Sequence, residues 1–288
     1  MARPGPESEY ACVRGAWVHP TARLGEDCVL EPGALVGAGV HLGRGCRLGV
    51  GAVIYGPASV GDENRIHAGA VLGGDPQDVG YRGETTRLEI GDRNVFREHV
   101  TISRGSPRGG GVTRVGSDNY FMVGAHLGHD VLVEDRCTLA NGVLVGGHCR
   151  IGSGVNLSGG TAVVQFTTIG RLAFLGGMAG ARQDLEPFII HDRPANGDAR
   201  ARPCGINKVG LRRAGIDAAA IRSLGIAYKL MFLREGAHID LAAVREDLRV
   251  RGALVDEVDE LIEFVRRKQE GRFGRQIEAE RRRVASRP

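Results

Sequence analysis

Aliphatic residues recur at every sixth position of the chain from residue 18 onward. The first ten positions in this register are Val18, Leu24, Leu30, Val36, Leu42, Leu48, Ile54, Val60, Ile66 and Leu72. The register resumes in the same phase at Ile90, Phe96 and Ile102, then shifts by one residue and continues from Val115 to Leu175. Neither the two-residue period of a strand nor the 3.6-residue period of a helix explains this pattern. It predicts a hexapeptide repeat, in which each six residues form one short strand and one corner of a triangular coil.

A second column of residues supports the same repeat. The residue four positions after each aliphatic is usually small or β-branched, and Cys28 and Cys46 occupy this column, so we interpret them as packing residues rather than ligands. The 45 glycines often follow the aliphatic residue directly, as expected of a chain that turns every few residues. Stacked coils would bury a continuous aliphatic column. The predicted fold class is therefore mainly β, a parallel β-helix with a small C-terminal α-helical domain.

The repeat also divides the chain into regions. Two polar, glycine-rich segments interrupt the repeat, at 73–88 and 103–114, and we predict that both are loops that project from the coil. The pattern ends near residue 184, and from Ile216 onward apolar residues recur at helical spacing, which predicts about three helices. We expect an N-terminal extension at 1–17, a β-helix at 18–184, and a linker with a helical domain and a basic tail at 185–288.

Composition narrows the class of protein. The formal net charge is +4, and from Arg266 to Pro288 there are nine Arg and Lys residues against three Glu, so the C-terminal tail is either a solvated end or a docking patch for an acidic partner. The six cysteines show neither metal-site spacing nor a disulfide framework. No apolar run approaches a membrane span or a signal peptide. These features predict a cytoplasmic protein with free thiols, no transmembrane segment and no nucleic-acid partner.

Three histidines mark the candidate chemistry. His126 and His129 lie in the sequence GAHLGHD, and His148 lies in VGGHCR. Because one coil contains eighteen residues, His148 is expected about one position from directly above His129, at the ~4.8 Å spacing of paired strands. Gln165, seventeen residues after His148, is expected to continue the same column.

The residues next to His129 suggest what it could do. A neutral histidine can take a proton from a sugar hydroxyl, and the adjacent carboxylate of Asp130 could fix its tautomer. Gly147 could bring a backbone N–H close to a developing oxyanion, where a side chain would block the approach. Polar residues at coil corners are often merely solvated, so from the residues alone a site and a solvated surface remain open.

Several longer motifs resemble the UDP-N-acetylglucosamine O-acyltransferases of lipid A biosynthesis. They are VHPTA at 18–22, GGDPQD at 73–78, TRLEIGDRNVFREHVTISRG at 86–105, GGGVTRVGSDNYFMVGAHLGHD at 109–130, TAVVQF at 161–166 and GINKVGLRRAGI at 205–216. The resemblance implies a trimer of left-handed β-helices with active sites between subunits. It also implies transfer of a 3-hydroxyacyl group from acyl carrier protein to the 3-hydroxyl of UDP-N-acetylglucosamine, without a metal or bound cofactor.

The resemblance also implies roles for individual residues. His129 matches the general base, Asp130 its orienting partner and Gly147 the oxyanion donor. The positions that hold the sugar, the nucleotide and the acyl chain are matched by Gln77, Asp78, His126, His148, Gln165, Gly177, Asn207 and Arg213, and the residues that could meet the acidic carrier protein are Arg212, Arg213 and Arg222. The chain departs from the family pattern at Gly80, where relatives often carry a lysine, and at Val164, Val209 and Ala214.

Three rival functions remain open at this stage. The first is a hexapeptide acyltransferase with a different acceptor, such as a 3-amino sugar nucleotide, because the fold alone does not set the substrate. The second is a zinc-dependent carbonic anhydrase of the same fold, which would need His126, His129 and His148 to converge on one metal. The third is a scaffold without catalytic activity.

Overall fold

The computed structural model describes residues 11–13, 15–194, 198–233 and 239–279. The strands of the first coils are β1 Ala11–Val13, β2 Ala16–Val18, β3 Arg23–Leu24, β4 Val29–Leu30, β5 Leu35–Val36, β6 Val40–Leu42, β7 Arg47–Leu48, β8 Val53–Ile54, β9 Ala58–Val60, β10 Arg65–Ile66 and β11 Val71–Gly74. The middle coils contain β12 Arg87–Ile90, β13 Val95–Phe96, β14 Thr101–Ser103, β15 Val112–Val115, β16 Tyr120–Phe121, β17 His126–Leu127 and β18 Leu132–Val133.

The upper coils end in a helical region. Their strands are β19 Thr138–Leu139, β20 Leu144–Val145, β21 Arg150–Ile151, β22 Asn156–Leu157, β23 Ala162–Val163, β24 Thr168–Ile169, β25 Phe174–Leu175, β26 Gly180–Ala181, β27 Ile189–Asp192 and β28 Arg202–Ile206. The α-helices are α1 Lys208–Arg213, α2 Ala218–Phe232, α3 Leu241–Val250 and α4 Asp256–Glu270. The first coil thus already includes β2, two residues before the boundary expected at residue 18.

Three parallel sheets form the faces of a triangular prism. The first sheet follows the order β1-β2-β5-β8-β11-β14-β17-β20-β23-β26, the second β3-β6-β9-β12-β15-β18-β21-β24, and the third β4-β7-β10-β13-β16-β19-β22-β25-β27-β28. Pairing in the first sheet is in steps of eighteen residues, as between Trp17, Leu35 and Val53. Only the terminal pairs β1–β2 and β27–β28 are antiparallel within the described chain.

The two insertions explain the phase of the sequence pattern. Val71 pairs with Thr101, thirty residues on, so the loop at 75–86 adds twelve residues, or two whole hexapeptides, and the phase is kept. Thr101 pairs with His126, twenty-five residues on, so the loop at 104–111 adds seven and shifts the register by one. Both loops are shorter than the expected 73–88 and 103–114, because their ends extend the neighbouring strands.

The interior of the prism is apolar, with one polar column. The second residue of nearly every two-residue strand is buried, and the rings of Phe96 and Phe121 stack at 5.0 Å. At one inner corner Asn94 donates from Nδ2 to Asn64 Oδ1 at 3.0 Å and accepts from the N–H of Asn119 at 2.9 Å. Cys46 lies in the same column, fully buried, which confirms that it is a packing residue. This ladder satisfies corner groups that an apolar side chain would leave unpaired.

The chain after the last coil covers its open end. Asp184 Oδ2 accepts from the N–H of Gln276 at 2.8 Å, and Glu186 is buried against Lys268 at 2.7 Å. The helices pack around Leu224, Leu248 and related apolar residues to form a second core. Three long helices match the expected number, and α1 adds one short turn before them. Residues 266–279 of the basic tail therefore belong to the folded end, and the tail from 280 lies outside the described residues.

Candidate active site

A hydrogen-bonded chain of three side chains forms the centre of the site. His129 Nδ1 lies 2.7 Å from Asp130 Oδ2, and the same oxygen accepts from Ser106 Oγ at 2.6 Å. The other carboxylate oxygen accepts from the N–H of Ser106 at 2.8 Å. Asp130 is nearly buried, with 2% of its side chain exposed, whereas His129 keeps 13%. The ring of His129 is therefore anchored through Nδ1, and its other side remains accessible to solvent.

The electrostatics of Asp130 favour its charged form. Burial raises the pKa of this carboxyl, but the hydrogen bonds from His129 and Ser106 outweigh burial and lower the pKa below its usual value. An ionised Asp130 accepts a hydrogen bond from Nδ1–H of His129, so the lone pair of a neutral ring lies on Nε2. That nitrogen is available to a substrate hydroxyl.

The corners of three successive coils position the site. Asp130, His148 and Phe166 lie eighteen residues apart, and each has a left-handed backbone, with φ of 60°, 61° and 64°. The ring of His148 stacks on Phe166 at 4.5 Å and meets the ring of His129 edge-on at 4.9 Å. Its Nδ1 lies 3.7 Å from Asp130 Oδ2. His148 is thus brought to the pair, as its spacing predicted.

Gln165 lies in the column of His129, two coils farther along the chain. The N–H of Phe166 donates to the carbonyl of Gly147, and the Gln165 backbone lies beside Gly146. The repeat therefore aligns Gln165 with Gly147 and His129, whereas Phe166 follows His148. The seventeen positions between His148 and Gln165 offset the nineteen between His129 and His148, so Gln165 is in register with His129.

Gly147 faces the ring of His129. A Cβ at this position would lie 2.8 Å from Cε1 and 2.9 Å from Nε2 of the histidine, which is too close for any other residue without movement of the ring. Its N–H donates to no protein acceptor within the described part of the chain. The backbone of Gly147 therefore lies against the edge of the His129 ring that carries Nε2.

His126 stands apart from this cluster. It is the outward-facing residue of β17, and its Nδ1 lies 2.7 Å from Thr101 Oγ1 on the strand below. Burial lowers the pKa of His126, so its ring is neutral at pH 7. The one described group able to hold a metal ion consists of His129, Asp130 and His148, with ligand atoms within 4.8 Å of one another. The three-histidine zinc site considered above is therefore not formed within this chain.

The loop at 75–86 carries the next predicted residues. Gln77 is exposed, and Asp78 is half-buried with its Oδ1 accepting from the N–H of Gly80 at 2.8 Å. A Cβ on Gly80 would lie 3.6 Å from the guanidinium carbon of Arg108, in the loop at 104–111. The two loops therefore meet beside the corner that carries Asp130.

The remaining predicted residues lie farther up the chain. Gly177 has open space above it, since a Cβ there would come no closer than 3.6 Å to the Gly159 carbonyl. Asn207 is only 8% exposed: it donates to the Leu172 carbonyl and caps α1 by accepting from the N–H of Gly210. The Asn207 amide therefore has a structural role at the start of α1.

The basic residues of the predicted docking surface separate into two groups. Arg212 and Arg222 line one cavity of about 560 Å³ in the helical domain, together with Lys208 and Lys229. Arg213 is exposed but does not line this cavity.

Three functional neighbours were missed by the sequence reasoning. Ser106 holds both oxygens of Asp130, Thr113 Oγ1 accepts from the N–H of Asp130 at 2.8 Å, and Phe166 stacks on His148. Ser106 and Thr113 lie in or beside the second insertion, where the repeat gives no register. Phe166 could have been found by counting eighteen from His148.

Comparison with known proteins relates this site to a family. A family model described as UDP-N-acetylglucosamine O-acyltransferase, domain 2, matches residues 184–273, and a bacterial transferase hexapeptide model matches residues 39–74. An acyl-[acyl-carrier-protein]–UDP-N-acetylglucosamine O-acyltransferase of Stenotrophomonas maltophilia strain R551-3 is 40% identical over 87% of this chain and 92% of its own. The chain belongs to the UDP-N-acetylglucosamine O-acyltransferase family. A relative named in the same way from Anaeromyxobacter sp. strain Fw109-5 is 42% identical over 69% of this chain and 75% of its own.

Solved structures of the O-acyltransferase family share the whole architecture. The UDP-N-acetylglucosamine acyltransferase of Bacteroides fragilis superposes with a TM-score of 0.81 at 29% identity, over 92% of this chain and 97% of that one. That of Campylobacter jejuni gives 0.78 over 87% and 94%. The predicted left-handed parallel β-helix with a small C-terminal helical domain is thereby confirmed. No helix among the described residues is long and apolar enough to cross a bilayer.

Proposed function

We propose that the protein transfers a 3-hydroxyacyl group from acyl carrier protein to the 3-hydroxyl of UDP-N-acetylglucosamine, the first step of lipid A biosynthesis, with His129 as general base. The observation that carries this mechanism is the Ser106–Asp130–His129 hydrogen-bonded chain, next to the N–H of Gly147, which has no acceptor among the described residues. The names of the relatives support the substrate pair.

The geometry accounts for each proton in the reaction. His129 Nε2 takes the proton of the sugar hydroxyl while its oxygen forms a bond to the thioester carbonyl carbon. The negative charge that develops on the carbonyl oxygen is stabilised by the N–H of Gly147. When the carbon–sulfur bond breaks, the protonated ring returns the proton to the departing thiolate of the carrier. Asp130 stays ionised and stabilises the imidazolium between the two transfers.

The carrier protein is expected to dock on the helical domain. The cavity of about 560 Å³ has an apolar floor formed by Ile206, Ile216, Ile221 and Ile226, and four cations line it: Lys208, Arg212, Arg222 and Lys229. None of its lining residues is acidic. Such a surface suits an acidic partner that also presents apolar groups, and its attraction for that partner should weaken with salt.

A homotrimer is the proposed assembly. The outward residues of the first sheet are largely apolar from bottom to top, and they include Trp17, Leu35, Val53, Val71, Leu144 and Ala162. The corresponding residues of the second sheet are mostly polar, including Arg23, His41, Ser59, Glu89 and Arg114. An apolar column of this length favours burial against further copies of the chain. His126 lies on this face, so a neighbouring copy would border the site.

A cytoplasmic location is part of the proposal. Five cysteines, at positions 28, 46, 137, 149 and 204, are free thiols. Burial raises the pKa of Cys137 and of Cys149 to about 12, so both remain protonated and inert at pH 7. Free thiols are typical of a reducing compartment.

The test is transfer from a series of 3-hydroxyacyl carrier proteins to UDP-N-acetylglucosamine. We expect turnover by the wild type and a loss of about 10²- to 10⁴-fold in kcat for His129→Ala, because the general base is removed. His41→Ala, an exposed histidine on the second sheet, is the matched control and should retain full activity.

Each other outcome has a defined meaning. Turnover with the 3-amino sugar nucleotide and none with the hydroxyl substrate would change the assigned acceptor and leave the assigned mechanism unchanged. Stoichiometric zinc together with bicarbonate formation would replace the function altogether. Full activity of His129→Ala would remove this residue from the mechanism.

A further inference from the structure

Arg108 lies between the two insertions, beside the catalytic pair. It is the middle residue of a short 3₁₀ turn, Pro107–Gly109, in the loop at 104–111. The next residue, Gly109, packs so closely on Asp130 that a Cβ there would overlap its carboxylate. The guanidinium carbon of Arg108 reaches the other insertion, 3.6 Å from where a Cβ on Gly80 would stand. Arg108 thus belongs to the turn that packs on Asp130, the hydrogen-bond partner of His129.

The guanidinium of Arg108 is exposed and unpaired, in contrast to its neighbours. Arg82 donates to the carbonyls of Val79 and Tyr81, and Arg104 donates to Thr86 and Tyr81 and pairs with Asp75. Arg108 makes no hydrogen bond or ion pair with any residue that the structure describes. The carboxylate of Asp78 also lies beside Gly80, with Oδ1 3.2 Å from where a Cβ on that glycine would stand, but among the described residues it forms no ion pair with Arg108. An unpaired guanidinium next to a catalytic pair is available to an anionic ligand.

The chemistry of the acceptor indicates which anion this is. This step rests on the proposed function, in which the 3-hydroxyl of the sugar lies at His129. The anomeric oxygen, which carries the diphosphate, is attached to the same six-membered ring, so a phosphate must lie within about one side-chain length of the catalytic nitrogen. A guanidinium matches phosphate oxygens with two parallel hydrogen bonds. The carrier protein also has a phosphate, in its phosphopantetheine arm, but that group is separated from the thioester by a long flexible chain.

We propose that Arg108 binds the diphosphate of the sugar nucleotide and thereby sets the position of the acceptor hydroxyl at His129. Gly80 leaves the space into which the guanidinium extends. The loop at 104–111 thus has two roles, since its backbone orients Asp130 and it supplies the cation of Arg108. The loop at 75–86 provides the surface at Gly80 beside which that cation lies.

Arg108→Gln tests this proposal through binding and kinetics. We expect the KM for UDP-N-acetylglucosamine to rise about 10- to 100-fold, from the loss of a charge-assisted hydrogen bond, with a much smaller change in kcat and in the KM for the acyl carrier protein. Arg82→Gln is the matched control, because it removes the same charge from the facing loop, and its KM should change less than about twofold. Arg108→Lys should fall between Arg108→Gln and the wild type.

A second variant separates charge from loop shape. Gly80→Lys, introduced into Arg108→Gln, places an ammonium group in the same space, where the nearest atom to the new Cβ is Asp78 Oδ1 at 3.2 Å. We expect it to restore most of the lost affinity. A KM that stays high in this double variant would assign the effect to the loop and overturn the proposal.

Calorimetric titration with UDP alone keeps this test independent of turnover. Weaker binding of UDP to Arg108→Gln than to the wild type, with no change for Arg82→Gln, supports the proposal even if the acyl donor is misassigned. Equal binding of UDP by all three proteins would overturn it. A rise confined to the KM of the carrier protein would also overturn it, because it would assign Arg108 to the phosphopantetheine phosphate.

Discussion

The hydrogen bonds around Asp130 determine which nitrogen of His129 can act as a base. One carboxylate oxygen accepts a hydrogen bond from the N–H of Ser106. The other oxygen accepts from the Ser106 hydroxyl and from His129 Nδ1. Because Asp130 is anchored from two sides, the ring cannot turn away without breaking its bond to the carboxylate. The reactive nitrogen is therefore held next to Gly147 before any substrate binds, and this reduces the reorganisation needed in the reaction.

Gly147→Ala tests the contact between the backbone and the ring. The added Cβ would lie 2.8 Å from Cε1 of His129, so either the ring or the oxyanion donor must move. We expect kcat to fall about 10²- to 10³-fold with little change in thermal stability, as for the loss of an oxyanion-hole donor. The measurement is steady-state kinetics together with a thermal melt.

Gly159→Ala provides the control for this variant. Gly159 lies in a different set of corners, after β22, and a Cβ there would come no closer than 3.5 Å to a neighbour, the Asn141 carbonyl. Its kcat should equal that of the wild type. Equal activity of Gly147→Ala and Gly159→Ala would show that the close approach at 147 has no role in catalysis.

At the scale of the element, the hexapeptide is a nearly autonomous unit of structure. Each strand contributes one inward residue, and its backbone groups pair with the coils above and below. Such stacking makes stability depend mainly on neighbouring coils. The asparagine ladder is the exception to the apolar interior, because each amide bonds to the next coil through its side chain.

Asn94→Ala should reveal how much this ladder contributes. The substitution leaves the Asn119 N–H and the Gly116 carbonyl without their side-chain partner in a buried corner, whereas Asn64 Oδ1 keeps the N–H of residue 94. We expect a loss of about 3 kcal/mol in the free energy of unfolding, since each orphaned buried group costs about 1–3 kcal/mol and part of the strain relaxes. Urea unfolding followed by circular dichroism measures it.

The matched substitution is Asn141→Ala, at an exposed corner. It removes the same side chain without opening a buried bond, so the free energy of unfolding should change by less than about 0.5 kcal/mol. An equal loss of stability in both variants would show that the buried hydrogen bonds of the ladder do not account for the effect of Asn94→Ala.

At the scale of the whole molecule, a set of buried acids joins the prism to the C-terminal segment. Asp184 accepts from the N–H of Thr168 in the coil at 2.7 Å and from that of Gln276 at 2.8 Å. Glu186 bonds to His191 and Lys268, and although burial raises the pKa of its carboxyl, the charge of Lys268 outweighs this and holds the pKa at about 2. The helical domain is therefore attached to the coil through two buried carboxyl groups, one paired with Lys268 and one bonded to backbone N–H groups.

Asp184 gives the attachment a measurable pH dependence. Burial raises its pKa from 3.8 to about 6, so in the folded state it holds a proton that the unfolded chain releases. Its contribution to stability is therefore largest below about pH 4 and is lost as pH rises through about 6, by about 3 kcal/mol in all. We expect the difference in unfolding free energy between the wild type and Asp184→Asn to decrease by this amount from about pH 4 to pH 7.

Urea unfolding at several pH values in this window measures that difference. Asp27→Asn, at an exposed corner, serves as the control, and its difference from the wild type should not follow the same curve. A difference that is constant with pH for Asp184→Asn would mean that the buried carboxyl stays ionised throughout.

The sequence by itself determined the prism, because each hexapeptide repeats one local solution and eighteen residues always return the chain to the same face. That regularity also placed His148 next to His129 and Gly147 against its ring. It even encoded the lengths of the insertions, since twelve residues keep the phase and seven shift it.

Only the tertiary structure decided what the two insertions do. Ser106 reaches Asp130 across twenty-four positions, and Arg108 meets Gly80 across the gap between the loops, neither at a spacing that the repeat defines. The same holds for Asn207, whose motif suggested a ligand but whose amide is used in capping α1 and in bonding to the coil. A periodic pattern predicts contacts between equivalent positions, whereas contacts made by irregular segments depend on the path of the folded chain.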